Sequence, residues 1–212
     1  VFLAEGVKMF LEAPREQLQE VYVSESFLEK CSCREHLEEV GYEVVSDSVF
    51  SKISDTCTPQ GVLCVLKQFH YNIEEMLRDK APLFLLLENI QDPGNLGTML
   101  RTGEGAGVSG IIMSRDTVDL YNPKVIRSTM GSIYRVPFYY ADDFAAAVHQ
   151  VQRAGVSVYA AHLRGKNSYA CQDYTKGTAF LIGNEGNGLR EETAELADCY
   201  IRIPMEGKVE SL

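Results

Sequence analysis

The sequence predicts an α/β protein with a mostly parallel sheet in its C-terminal part and a smaller α/β unit before it. Two patterns lead to this prediction. From residue 82 onward, short unbroken apolar runs alternate with helical segments, as in a parallel sheet that is covered on both faces. Before residue 80 the helical segments are acidic and amphipathic and the strands are short. We therefore divide the chain into two units, residues 1–80 and residues 81–212.

The first unit begins with a helix and continues as an α/β alternation. Apolar residues recur at helical spacing from Val7 to Leu11, and Pro14 ends this helix. Strands are predicted at 21–23, 42–45 and 61–66, with one long helix at 27–40. The polar residues 70–80 are predicted to be a linker.

The second unit contains the clearer alternation. Strands are predicted at 83–87, 110–113, 136–139, 156–160, 179–182 and 200–203. Helices are predicted between them at 96–106, 124–130, 142–154 and 189–197. A further helix is expected after the last strand. The sequence contains no such helix and begins at Val1 without a methionine, so we expect the protein to extend beyond both ends.

Composition and charge exclude several classes of protein. The chain is 45% hydrophobic and 24% charged, as in ordinary globular proteins, and no apolar run is long enough to span a membrane. A net charge of −10 argues against binding nucleic acid by bulk electrostatics, and residues 115–135 hold the one candidate basic patch: Arg115, Lys124, Arg127 and Arg135. The six cysteines have neither CxxC spacing nor histidine partners, so we expect free thiols, no metal and a cytoplasmic location.

Gly105, Gly107 and Gly110 match the pattern GxGxxG, which occurs in dinucleotide-binding proteins. In those proteins the glycines follow a strand and open a helix, so that the phosphates meet free N–H groups. Here they follow a helix and lead into a strand. We therefore reject a nicotinamide-dependent oxidoreductase and predict that the glycines end the helix.

Three other segments follow or end predicted strands, where α/β proteins bind ligands. Residues 88–102 turn at Pro-Gly and carry Asn95 and Arg101 on neighbouring turns of a helix. Residues 180–189 run from a buried strand through a glycine-rich loop, which carries Glu185, into a helix, and glycines let the main chain approach a ligand closely. Residues 201–212 begin in the last predicted strand, which ends at Pro204, and continue as a loop. Taken alone, the first segment favours the simpler interpretation, in which Asn95 caps the helix and Arg101 is a surface charge.

Together and in this order, the three segments resemble the motifs of the SpoU (TrmH-like) RNA ribose 2′-O-methyltransferases, which belong to the knotted α/β methyltransferases. The resemblance covers residues 82–212, including 122–137, and extends more loosely to 1–80, where residues 5–8 are typical of the family's substrate-binding domain. It implies a trefoil knot, an exception to the rule that chains avoid threading. It also implies a homodimer that acts on RNA, with ribosomal RNA expected before tRNA.

The resemblance also implies a site without metal, in which S-adenosylmethionine lies among the three loops. The implied cofactor-binding residues are Gly183, Gly188, Ile203, Met205 and Leu212. The implied catalytic residues are Asn95, Arg101, Glu185 and Ser211, with Asn95 and Glu185 orienting Arg101 or the ribose. An asparagine that usually follows the Ser211-Leu212 pair would be residue 213.

The reaction so implied is methylation of a ribose 2′-hydroxyl, which must lose its proton as the new bond forms. Arg101 has two possible roles in that step. It is either a base assisted by an RNA phosphate, which is the family account, or a cation that binds the phosphate, which arginine chemistry favours because guanidinium stays protonated. A catalytically inactive RNA-binding protein on the same fold is the alternative from a different functional class.

Overall fold

The computed structural model describes residues 1–204 and contains two β-sheets. The first sheet has four strands: β1 (Phe2–Glu5), β2 (Leu18–Ser24), β3 (Glu43–Val45) and β4 (Val62–Leu66). Strand β4 pairs antiparallel with β1 and β2, and β3 pairs parallel with β2. Four helices accompany this sheet: α1 (Val7–Glu12), α2 (Glu25–Lys30), α3 (Arg34–Val40) and α4 (Asp47–Ile53).

The second sheet has seven strands, and every neighbouring pair is parallel. They are β5 (Leu83–Leu87), β6 (Gly110–Ser114), β7 (Phe138–Ala141), β8 (Ser157–Ala161), β9 (Asn167–Ser168), β10 (Thr178–Ile182) and β11 (Cys199–Arg202). Their order in the sheet is β7-β6-β5-β10-β8-β11-β9. The accompanying helices are α5 (Ile73–Met76), α6 (Pro93–Ala106), α7 (Pro123–Thr129), α8 (Phe144–Arg153) and α9 (Glu191–Ala194). The predicted α/β class with a mostly parallel sheet is confirmed.

Helix α6 shows how local sequence sets an element's ends. Pro93 is its first residue, and the Asp92 side chain accepts a hydrogen bond from the main-chain N–H of Asn95 at 2.8 Å, as helix caps do. The helix ends at Gly107, whose φ of 75° is the left-handed conformation that glycine adopts without strain. The rejected GxGxxG pattern is therefore a helix end in the structure.

Four segments of the first unit differ from the sequence prediction, and two of them, strand β1 and helix α4, had no predicted counterpart. The single helix predicted at 27–40 is two helices, α2 and α3, because the chain leaves the helical conformation at Cys31. The predicted linker 70–80 contains α5, whose Ile73 and Met76 are buried in the core of the large sheet. A single turn of helix carries too few apolar residues for its periodicity to be recognised.

The two sheets share one hydrophobic core, and polar contacts cross the same junction. The Tyr121 hydroxyl accepts a hydrogen bond from the main-chain N–H of Phe69 (2.6 Å) and donates one to its carbonyl (3.2 Å). The Tyr134 hydroxyl donates to the carbonyl of Met9 at 3.1 Å. Burial raises the pKa of Tyr121 to about 12, so both of its bonds persist at neutral pH.

None of the helices between residues 1 and 204 has the length and apolarity that crossing a bilayer requires.

We expect Tyr121→Phe to lower the free energy of unfolding by about 1–3 kcal/mol, because the half-buried N–H of Phe69 loses its acceptor. Urea unfolding at pH 7 measures this change. Tyr169→Phe is the control, since the Tyr169 side chain is exposed. Equal stabilities for the Tyr121 variant and the wild type would show that the junction does not depend on this hydroxyl.

Candidate functional site

A cleft of about 450 Å³ opens at the carboxyl edge of the large sheet. Three segments line it: residues 161–163 at the end of β8, residues 182–189 after β10, and residues 201–203 at the end of β11. These strands are neighbours and run parallel, so their carboxyl ends meet at one place. The volume is that of a small-molecule site, and this position is where open α/β sheets bind ligands.

The cleft brings together several of the residues that the sequence singled out. Gly183, Gly188 and Ile203 line it. Met205, Ser211 and Leu212 lie outside the described residues. His162 and Leu163 also line it, although the sequence did not indicate them as site residues. The strand predicted at 156–160 could have indicated them, because they follow its carboxyl end and α/β proteins bind ligands beyond the carboxyl ends of such strands.

The glycine-rich loop (residues 183–190) folds back tightly on itself. Asn184 and Gly188 exchange two main-chain hydrogen bonds of 3.0 and 2.8 Å, and Gly188 has a φ of +70°. The Asn184 side-chain oxygen accepts the N–H groups of Gly186 and Asn187, both at 3.0 Å. A Cβ added to Gly183 would lie 2.2 Å from the main-chain nitrogen of Leu189. The loop thus presents main chain to the cleft in a form that a side chain at residue 183 would disrupt.

Several apolar side chains that line the cleft are exposed to solvent. Leu163 is 56% exposed and Ile203 is 48% exposed, and Ile182 and Leu189 lie on the same lining. The His162 ring stacks on Tyr200, with ring centroids 5.0 Å apart. Exposed apolar groups around a concave surface mark a binding site, because a ligand that covers them removes them from water.

Glu185 joins the glycine-rich loop to the beginning of α6. Its Oε1 accepts the main-chain N–H of Asp92 (3.0 Å) and the side-chain amide of Asn95 (3.2 Å), while its Oε2 accepts the N–H of Gln91 (3.1 Å). Burial acts to raise the pKa of Glu185, but these N–H donors outweigh it and hold the pKa below its ordinary value. Glu185 is therefore an ionised anchor, which complements the positive end of the α6 dipole.

Arg101 is placed apart from this anchor. Six residues along an α-helix correspond to a rotation of about 120° and a rise of about 9 Å, so Arg101 and Asn95 point in different directions. Arg101 is exposed and has no hydrogen bond or ion pair within residues 1–204. No hydrogen bond joins Glu185 to Arg101 within the described part of one chain, so the expectation that Glu185 and Asn95 orient Arg101 or the ribose stays a prediction.

A second carboxylate, Glu88, lies beneath the glycine-rich loop and was not predicted from the sequence. It is 2% exposed, and it accepts the main-chain N–H of Arg190 (2.9 Å) and the hydroxyl of Thr193 (2.5 Å). The Arg190 guanidinium lies 3.5 Å from Glu88 and also pairs with Asp116 at the end of β6. The sequence did contain one indication of its role, because Glu88 is an acidic residue directly after the apolar strand predicted at 83–87.

The predicted basic patch at 115–135 is partly neutralised. Arg115 pairs with Asp142 at 2.5 Å, and Arg135 pairs with Glu12 at 2.8 Å and with Glu104. Lys124 forms no ion pair within the described residues. The free positive charge on this surface is therefore smaller than the sequence suggests.

The part of the chain that the structure describes contains no group of three or more His, Cys, Asp or Glu side chains that could hold a metal ion. All six cysteines are free thiols. Burial raises the pKa of the Cys64 thiol to about 12, so this thiol stays protonated at neutral pH.

Comparison with known proteins matches both parts of the chain. Residues 82–212 match the family model described as the SpoU rRNA Methylase family, and residues 1–64 match the MRM3-like substrate binding domain. The chain is 33% identical over 169 residues to the Bacillus subtilis protein named 23S rRNA (guanosine(2553)-2′-O)-methyltransferase RlmP, covering 80% of this chain and 66% of that protein. It is 31% identical over 205 residues to RlmB of Bordetella pertussis, named 23S rRNA (guanosine-2′-O-)-methyltransferase, covering 93% of this chain and 84% of that one.

A solved structure agrees with these matches. The AdoMet-bound rRNA methyltransferase from Sinorhizobium meliloti superposes with a TM-score of 0.81 at 31% sequence identity, covering 100% of this chain and 81% of that chain. The chain spans between 52% and 66% of the length of several of the curated relatives.

We expect Glu185→Gln to lower the free energy of unfolding at pH 7 by about 1–2 kcal/mol, because the amide has one acceptor oxygen where the carboxylate has two. The native pKa of Glu185 lies below its ordinary value of 4.5, so its stabilisation is complete above that pH and disappears as the pH falls through the native pKa. Urea unfolding should therefore show a difference between variant and wild type at pH 7 that disappears as the pH falls through the native pKa of Glu185. The exposed Glu16→Gln is the control. A difference that does not depend on pH would contradict an ionised anchor.

Proposed function

Because the chain belongs to the SpoU rRNA methylase family, we propose that it transfers the methyl group of S-adenosylmethionine to a ribose 2′-hydroxyl in ribosomal RNA. The observation that carries this proposal is the cleft at the carboxyl edge of the large sheet, whose glycine-rich loop is joined to α6 through Glu185 and Asn95. Both relatives are named as 23S rRNA 2′-O-methyltransferases, which supports ribosomal RNA as the substrate.

The residues of the cleft fit a nucleoside cofactor. The exposed apolar side chains of Leu163 and Ile203, together with Leu189, provide surfaces for a purine ring, and the glycine-rich loop provides main-chain groups close by. Gly183, Gly188 and Ile203 are the proposed cofactor-binding residues of the described chain, and Met205 and Leu212 are proposed to complete the set. When bound, S-adenosylmethionine supplies the electrophilic methyl group.

The chain's own contribution to the reaction is alignment, which by itself lowers a barrier by about 7–11 kcal/mol at best. The side-chain amide of Asn95 donates to Glu185, which leaves Asn95 Oδ1 without a partner in the described residues. We assign to this oxygen the binding of the RNA ribose, with Glu185 as the positioning residue behind it. Ser211 is proposed to lie near the substrate.

Arg101 is proposed to act as a cation. Guanidinium stays protonated in proteins and binds phosphate through paired N–H donors. Bound to the RNA backbone phosphate next to the ribose, Arg101 would lower the pKa of the 2′-hydroxyl through its charge. The hydroxyl oxygen would then attack the methyl carbon while the bond between that carbon and the sulfonium sulfur breaks, and the hydroxyl proton would pass to solvent. The exposed position of Arg101 on α6, without an internal partner in residues 1–204, supports this role over that of a base.

The finer features implied by the family belong to the same proposal. They are a trefoil knot, a homodimer, a cytoplasmic location, and a division into an RNA-binding unit (1–80) and a methyltransferase unit (81–212). The separation of Arg101 from Asn95 around α6 supports the dimer, because a second protomer can bring Arg101 to a site that one protomer leaves incomplete. The separate four-stranded sheet supports the two units.

The proposal is tested by incubating the full-length protein with S-adenosylmethionine and with ribosomal RNA or tRNA, followed by mass spectrometry of the nucleosides. A new 2′-O-methyl nucleoside in ribosomal RNA is the expected result. Methylation of tRNA alone would replace the substrate, and RNA binding without methylation or cofactor binding would favour an inactive RNA-binding protein.

We expect Arg101→Ala to lower kcat by about 100-fold or more, because the reaction loses the cation beside the nucleophile. Single-turnover methylation assays measure this change, and calorimetry should show cofactor affinity close to that of the wild type. Arg153→Ala, which removes an exposed arginine from α8, is the matched control. Normal turnover in the Arg101 variant would refute the role given to this residue.

We expect Gly183→Ala to abolish binding of S-adenosylmethionine, since its Cβ would lie 2.2 Å from the main chain of Leu189 and the loop must open. Gly105→Ala is the matched control, because a Cβ at Gly105, in the last turn of α6, meets no atom within 4 Å apart from the neighbouring backbone of its own helix. This control should bind normally and gain about 0.4–1 kcal/mol of stability. Normal binding by the Gly183 variant would place the cofactor elsewhere.

A further inference from the structure

Glu88 connects three segments at the carboxyl edge of the large sheet. It follows β5, and its main-chain N–H bonds to the carbonyl of Ile182 at 2.9 Å, next to the beginning of the glycine-rich loop. Its carboxylate accepts the N–H of Arg190, at the end of that loop, and the hydroxyl of Thr193 on α9. The Arg190 guanidinium then extends to Asp116 after β6.

The position of these bonds determines what they hold. Both ends of the glycine-rich loop are attached to the segment of Glu88, one through main chain and the other through its carboxylate. The residues between those ends, 183–189, form one wall of the cleft. Glu88 itself does not line the cleft and is 2% exposed, so it has no route to a substrate.

A buried carboxylate is stable only while its hydrogen-bond partners stay in place. Movement of Arg190 or Thr193 away from Glu88 would leave an uncompensated buried charge, so the bonds hold the loop in one conformation before any ligand arrives. A preorganised wall binds more tightly, because less ordering accompanies binding.

We propose that Glu88 is a positioning residue that sets the affinity of the cleft for its nucleoside cofactor, by holding the glycine-rich loop through Arg190 and Thr193. This inference rests on the proposed function for the identity of the ligand. It assigns to Glu88 no part in the methyl transfer, so its loss affects cofactor binding and leaves the rate of the bound enzyme nearly unchanged.

The first experiment is hydrogen–deuterium exchange on the cofactor-free, full-length protein. In Glu88→Gln, amides of residues 184–190 should exchange about tenfold faster than in the wild type, since one charge-assisted hydrogen bond is lost. Thr193→Val should show a similar effect, and Thr193→Ser, which keeps the hydroxyl, should behave as the wild type. Asp142→Asn, which breaks the exposed pair with Arg115, is the control for losing a carboxylate. Unchanged exchange in both Glu88→Gln and Thr193→Val overturns the proposal.

The second experiment is calorimetric titration with S-adenosylhomocysteine together with steady-state methylation kinetics. Glu88→Gln should raise Kd and the KM for S-adenosylmethionine about tenfold while kcat changes by less than about threefold. Equal Kd for variant and wild type overturns the inference, as does faster exchange across the whole chain with a matching loss of stability. If the wild type binds no S-adenosylhomocysteine, the proposed function fails, and the exchange result still decides whether Glu88 holds the loop.

Discussion

The parallel direction of the seven strands is the constraint on which the site depends. Strands β5 and β10 pair residue by residue up to Leu87 and Ile182, so Glu88 and Gly183 leave the sheet side by side. Strands β8 and β11 pair on the far side of β10 and end at the same edge. Loops from distant parts of the sequence therefore surround one cleft, and an antiparallel sheet would have sent alternate loops to the opposite edge.

Two carboxylates then connect the loops that follow β5 and β10, in different ways. Glu88 is buried and holds the end of the glycine-rich loop through Arg190. Glu185 is half-buried and holds the beginning of α6 through main-chain N–H groups and Asn95. Both accept several donors, so they serve as anchors for the segments around the cleft. The chemistry proposed for this site consequently falls on Asn95 and Arg101, which retain free polar atoms within the described residues.

The distribution of charge bears on how RNA would be recognised. The chain carries a net charge of −10, and arginines in the candidate basic region are held by Glu12, Glu104 and Asp142. Recognition of RNA would then depend on a few unpaired cations and on shape, with weak nonspecific binding. The two sheets share one hydrophobic core, and hydrogen bonds of Tyr121 and Tyr134 cross their junction. The first unit therefore has a fixed position beside the second, which allows the two together to recognise the shape of an RNA.

Periodicity and turn chemistry are local. The sequence by itself therefore determined six of the seven strands of the large sheet to within two residues at their starts, and the helix end at Gly107, but it did not predict the two-residue strand β9. Because these signals are local, the sequence did not predict the break inside 27–40 or helix α5. Both segments pack against residues that are far away along the chain. The motif residues were recognisable in the sequence, but their contacts were not. Asn95 bonds to Glu185, 90 residues away, and Glu88 bonds to Arg190, because the order of the strands places β5 next to β10. Strand order is decided by the burial of whole strand faces across the fold, and no single segment of the sequence expresses it.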